Sequence, residues 1–232
     1  MRIRQNILLF LAAFLPLLGQ AQTASPDVDP TATYIDENEV EAETGPDVEI
    51  KGNAPLVVQF RANPTNMEDY TPLYEWHFQK EGEETEMMVR YEEDTQFTFT
   101  ETGKTLVTLK VKLGGEIDEL PSKVFTVVIQ ESQLVFPNAF SPDGDSYNQT
   151  FKPKTCQSIV EFHAYIFNRW GQKLYDWTDP YAEGWDGTYN GKDVKEGVYF
   201  LLVKAKGADG RTYNIKKDVN LLRGYIQDAT NQ

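Results

Sequence analysis

Apolar side chains recur at every second position along most of the chain from Ala54 onward, and little else that a chain can form repeats with that period. Successive residues of a β-strand point to opposite faces, so this alternation marks strands with one face buried. Leu56, Val58 and Phe60 alternate with Val57 and Gln59; Tyr74, Trp76 and Phe78 with Glu75 and His77; Val107, Leu109, Val111 and Leu113 with Thr108, Lys110 and Lys112. Phe97 and Phe99 lie among threonines, and Phe125, Val127 and Ile129 close the first series. Asn63-Pro64, Gly82, Gly103 and Gly114-Gly115 separate these runs as turns. A second series follows: Val160, Phe162, Ala164 and Ile166, then Leu174 to Trp177, then Gly197 to Val203 and Tyr213 to Leu222 flanking Ala208-Asp209-Gly210 as a hairpin. The predicted fold is all-β, two immunoglobulin-like β-sandwich domains in tandem, over 50–131 and 133–232.

The chain begins with a basic start, MRIRQN, an apolar run over 7–19 and a small-residue end, the layout of a signal peptide over 1–21. Thirteen helical residues reach only about 20 Å, against a hydrocarbon core of about 30 Å, so cleavage after Ala21 is expected rather than a membrane anchor. The expected product is exported, with no transmembrane segment in the mature protein.

The formal net charge is −14 from 22 basic and 36 acidic residues. It lies almost wholly in the first half: residues 22–132 hold 24 acidic and 8 basic side chains, whereas 133–232 hold 12 of each. Nucleic acid is excluded as a partner, since phosphate binding rests on clustered Lys and Arg. Residues 22–49 carry nine acidic groups and no basic ones with little periodicity, and read as an acidic disordered leader.

Trp76, at the centre of an alternating strand, is expected in the core, and His77 on the opposite face, exposed. Arg169, Trp170, Trp185 and Lys192 cluster around predicted turns at strand ends, where a partner could reach them. The alternative is that both tryptophans plug the ends of the sandwich. Asp143, Asp145 and Asn148 offer oxygen ligands at a spacing suggestive of a calcium loop, without the full twelve-residue series. The alternative there is a turn held by Asp side chains on backbone N–H groups. No other cofactor is implied. The single cysteine, Cys156, is either a buried free thiol or the site of an intermolecular pairing. The two histidines fall in different modules, and no Gly-x-Ser-x-Gly, His-Glu-x-x-His or phosphate loop occurs, so the chain is read as non-enzymatic.

Two resemblances extend this reading. Gly52-Asn-Ala-Pro55, Tyr74-Glu-Trp76-His-Phe78, Phe97-Thr-Phe99 and Leu106-Val-Thr-Leu-Lys-Val111 resemble a PKD domain, an immunoglobulin-like module of extracellular bacterial proteins. The ordered blocks FPNAFSPDGD, IFNRWG, GWDGTYNGK, EGVYFLLV and ADGRTYNIKKDVNLLR, within 134–223, resemble the gliding-motility-associated C-terminal domain, the type B sorting domain of the Bacteroidetes type IX secretion system. Where that family usually carries Asn, Gly and Asp in its acidic turn, this chain has Asp143, Ser146 and Gln149, and Gly224 to Gln232 extend past the usual end. The resemblance implies passage through the periplasm and outer membrane to the cell surface, with type IX translocon components and an outer-membrane β-barrel anchoring protein as partners. It makes Arg169, Trp170, Trp185 and Lys192 candidates for sorting recognition. The function expected is that of an accessory or signalling envelope protein of the pathway; the alternative is a surface adhesin binding glycan or host protein through the PKD-like module.

Overall fold

The computed structural model describes residues 24–114 and 118–223, all strands and connections with no helix among them. The expected signal peptide over 1–21, the extension from Gly224 to Gln232 and Gly115 of one expected turn lie outside the described residues.

The first module contains β1 (Asp27–Val28), β2 (Thr31–Ile35), β3 (Glu41–Thr44), β4 (Ile50–Gly52), β5 (Leu56–Arg61), β6 (Pro64–Thr65), β7 (Leu73–Lys80), β8 (Met88–Arg90), β9 (Asp94–Phe99), β10 (Gly103–Lys112) and β11 (Lys123–Ile129). A four-stranded sheet, ordered β3-β2-β5-β9, faces a five-stranded one, ordered β4-β11-β10-β7-β8. The alternation expected from sequence is the observed burial pattern: Leu56, Val58 and Phe60 point inward, as do Val107, Leu109 and Val111. Trp76 is fully buried beside Phe60 and Phe125, and its indole N–H donates to the carbonyls of Glu92 at 3.1 Å and Glu93 at 3.2 Å.

Two expectations are corrected here. Residues 27–44 are not a disordered leader: β2 pairs with β5 from Thr31↔Arg61 to Tyr34↔Val58, and Val28 and Ala32 belong to the core. The acidic side chains alternate with small ones along β3, so the strand pairs through its backbone while its charges stay in water. His77 is not free in solvent. Its ring nitrogens lie 2.9 Å from Glu86 Oε1 and 3.2 Å from Glu75 Oε2, and Lys112 Nζ donates to Glu75 Oε1 at 2.7 Å. That ammonium holds the Glu75 carboxyl below its ordinary value.

The second module contains β12 (Gln133–Val135), β13 (Ala139–Phe140), β14 (Thr155–Gln157), β15 (Ile159–Phe167), β16 (Lys173–Trp177), β17 (Thr188–Tyr189), β18 (Lys192–Asp193), β19 (Gly197–Gly207) and β20 (Thr212–Leu221). One five-stranded sheet, ordered β13-β20-β19-β15-β16, is accompanied by the two-stranded ribbons β12-β14 and β17-β18. The hairpin expected around Ala208-Asp209-Gly210 is β19–β20, paired from Gly197↔Leu221 to Lys206↔Thr212. Phe136, Phe140, Phe151, Trp177 and Trp185 fill the core with Ile166, Leu201 and Val219.

The modules meet through specific bonds. Ala54 N donates to Ser158 Oγ at 3.2 Å, Thr102 N to Ala208 O at 3.2 Å, and Gln157 Nε2 to Gln130 Oε1 at 2.7 Å, while Val160 and Ala208 pack against the first core. At the junction, Ser132 Oγ donates to Asp209 Oδ1 at 2.7 Å, and Tyr213 OH donates to Ser132 O at 2.9 Å. Gly207 closes this contact, since a Cβ there would run into the Ser132 side chain. The Ser132 hydroxyl keeps the Asp209 carboxyl below its usual range. Its stabilising contribution is therefore present above the ordinary carboxylate pKa and lost as pH falls through the lowered one.

Candidate functional site

The turn between β15 and β16 is built by Asn168. Its Oδ1 accepts from Trp170 N at 2.9 Å and from Gln172 N at 3.1 Å, while Gly171 adopts φ 78° and bonds back to the Asn168 carbonyl. With its backbone closed this way, the turn pushes Arg169 and Trp170 outward. Trp170 is 79% exposed, and the Arg169 guanidinium carbon lies 4.9 Å from its ring centroid. Gln172 Nε2 donates to Tyr189 OH at 3.2 Å, tying this turn to the β17–β18 ribbon, where Tyr189 is the register partner of exposed Lys192.

Trp185 departs from the expectation of a reachable side chain. It is 0% exposed, 5.3 Å from the Phe140 ring and 5.0 Å from Tyr199, with its indole N–H donating to Thr188 O at 2.8 Å. Its backbone also exchanges two bonds with Phe151. Trp185 is thus a core residue, and of the four candidates Arg169, Trp170 and Lys192 remain at the surface.

Beside Trp170 lies a feature that sequence reasoning passed over. Val198 is 50% and Phe200 43% exposed, and with half-buried Leu202 they form the outer side of β19. Phe167 of β15 stands opposite Phe200, and Tyr165 opposite Leu202. A depression of about 510 Å³ opens over Phe167, Phe200 and Leu202 with Lys216 and Asp218 at its margin, and another of about 310 Å³ joins Val198 to Arg169 and Trp170. The signal was in the sequence: Val198, Phe200 and Leu202 are as apolar as Tyr199, Leu201 and Val203, so the strand is hydrophobic on both faces.

The acidic turn after β13 brings Asp143 and Asp145 together, but around a side chain of the chain itself. Gln149 Nε2 lies 3.0 Å from Asp143 Oδ1, 2.9 Å from Asp145 Oδ1, 3.0 Å from Tyr147 O and 3.2 Å from Ser141 O. Asn148 joins through its backbone, accepting from Ser141 N at 2.9 Å with φ 50°. The Gln149 amide holds the Asp143 carboxyl below its ordinary value. Among the described residues, no group of three or more His, Cys, Asp or Glu is placed to hold a metal. The oxygens converge on a point where an amide donor sits, so Gln149→Asp replaces that donor with a third carboxylate. The expected outcome is a melting temperature that rises on adding calcium in the variant and is unchanged in the wild type. A calcium response in the wild type would show that the amide yields its place to a cation.

Cys156 is half-buried, and burial pushes its thiol pKa up. Burial, followed by the neighbouring Cys156 thiol, pushes the Tyr181 hydroxyl up to about 12.

Residues 134–221 match the family described as CHU_C Type IX secretion signal domain. No curated protein matches the chain. Similar solved structures include the FN1–FN3 domains of chicken CNTN1, 10% identical, covering 80% of this chain and 76% of that one with a TM-score of 0.27. The Bacteroides ovatus mixed-linkage glucan utilization locus protein SGBP-B, in complex with a mixed-linkage heptasaccharide, is 14% identical over 75% of this chain and 42% of its own, TM-score 0.26. A tetra-tandem repeat in the extending region of a large adhesion protein is 10% identical over 87% of this chain and 69% of its own, TM-score 0.27.

Proposed function

We propose, from the match of residues 134–221 to the type IX secretion signal domain, that the chain is a non-enzymatic envelope protein of that pathway whose C-terminal module is its address. Such a signal implies interaction with the secretion machinery and export across the outer membrane to the cell surface or beyond. The first module then faces the outside as an accessory or signalling part, and a translocon component and an outer-membrane β-barrel are the partners of the second. The observation that carries this reading is the continuous exposed surface of Arg169, Trp170, Val198 and Phe200, all within the matched residues. An exposed Trp stacked with Arg beside unpartnered apolar side chains is the composition of an interface hot spot. The histidines are engaged separately, His77 between two glutamates and His163 stacked on Tyr165 at 4.1 Å, which supports a non-catalytic role.

Attaching residues 133–232 to a reporter bearing a signal peptide is expected to bring the reporter to the cell surface, and deleting them to leave the remainder in the periplasm. Trp170→Ala with Phe200→Ser should cut surface delivery strongly, Arg169→Ala or Lys192→Ala less. Protease accessibility in cells with and without the translocon measures this. Equal export without the module would overturn the reading.

A further inference from the structure

The face of the first module that meets the second holds a cleft of about 410 Å³. Its lining includes Ile35, at the end of β2, with the turn that follows it, Pro55 and Val57 at the start of β5, and Tyr181 from the second module. Ile35 and Val57 are exposed apolar side chains, and Tyr181 is 61% exposed. Ala54, also in the lining, is tied to the second module by its N–H bond to Ser158 Oγ. Asp36, Glu37 and Glu39 rim the cleft, and no Lys, Arg or His is among its lining residues. Asp36 is held ionised by the backbone N–H of Val40 and Asn38.

A second depression of about 180 Å³ shares Ile35 and Val57 and runs on over the outer face of the four-stranded sheet to Gln59 and Gln96, with Glu41 beside it. The two together make an elongated groove, apolar at Ile35 and Val57, amide-lined at Gln59 and Gln96, and acidic along its rim.

We infer that this groove binds a basic extended segment of a partner protein, with a Lys or Arg side chain lying along Ile35 and Val57 and its charge held between the carboxylates and the Tyr181 ring. A long cationic side chain supplies both halves of the match, an apolar stem and a charged head. The aromatic face adds cation–π attraction. The excess negative charge of residues 22–132 attracts such a segment over distance. The inference rests on the reading of the first module as the part that engages a partner once outside, but it needs no export to be tested.

The probe is a fluorescein-labelled seven-residue peptide of alternating Lys and Val, titrated into the purified protein at about 0.15 M salt with anisotropy as readout. Saturable binding is expected, together with its absence for the same peptide with Glu in place of Lys. Glu37→Gln with Glu39→Gln should weaken binding about tenfold, and Tyr181→Ala about fivefold. The control is Glu92→Gln with Glu93→Gln, which removes the same charge near the opposite end of β5 and should leave affinity unchanged. Equal weakening by the control, or no weakening by the cleft variants, would mean bulk charge attraction and overturn the site. A dimer that Tyr181→Ala abolishes, with no peptide binding, would assign the cleft to a second copy instead and overturn it too. None of these outcomes bears on delivery of the reporter, so a failure here is separable from failure of the export reading.

Discussion

Trp185→Ala is expected to destabilise the C-terminal module by about 3–5 kcal/mol, while Trp170→Ala, fifteen residues away, should change stability by no more than about 0.5 kcal/mol. The two indoles differ only in surroundings. Trp185 is enclosed by Phe140 and Tyr199, with Phe151 bonded across it, so its removal leaves a cavity and strands the Thr188 carbonyl that its N–H satisfies. Trp170 stands 79% exposed against Arg169, so its removal opens no cavity in the core. Thermal melts of the isolated module and surface delivery of the reporter should therefore separate. Trp185→Ala should lose both folding and delivery, and Trp170→Ala delivery alone. A Trp170→Ala module that melts early, or a Trp185→Ala module that melts normally, would reverse the assignment of the two.

A fragment of residues 50–131 is expected to show no cooperative melt, whereas one of residues 24–131 should melt in a single transition. Starting at residue 50 removes β2 and β3, half of the four-stranded sheet. The edge of β5 from Val58 to Arg61 loses its backbone partners, and the core loses Val28 and Ala32, leaving Phe60 open on one side. Domain stability is only about 5–15 kcal/mol, and loss of two strands with the burial they provide is of that order. Comparable melts for the two fragments would show the N-terminal strands to be an accessory layer. The module boundary is where this matters most: the charge of the sequence changes near residue 132, whereas the acidic stretch before residue 50 supplies strands to the first sandwich.

What could be read from the residues alone was whatever short-range chemistry decides. Alternation at Leu56 to Phe60 and Val107 to Val111 sets which side chains of each strand face inward, and Asn168 with Gly171 sets a turn, because both act within a few residues of backbone. The doubly apolar run from Val198 to Val203 likewise contains its own message, a strand that leaves one hydrophobic face to be covered by something else. The remaining decisions depended on partners distant in sequence. The weakly apolar, acidic run of β2 and β3 becomes strand only because β5 offers a free backbone edge, a stabilisation that local propensity does not contain. Trp170 and Trp185 look alike beside their turns, and only the approach of Phe140 and Tyr199 from other strands makes one of them core. The acidic turn offers oxygens at a spacing that suits a cation or an Asp-held turn, and only the fold places the Gln149 amide among them. The cleft beside Tyr181 sets that residue with Ile35 and Val57, more than a hundred residues earlier in the chain, and packing at the junction is what adds it to the groove of the first module.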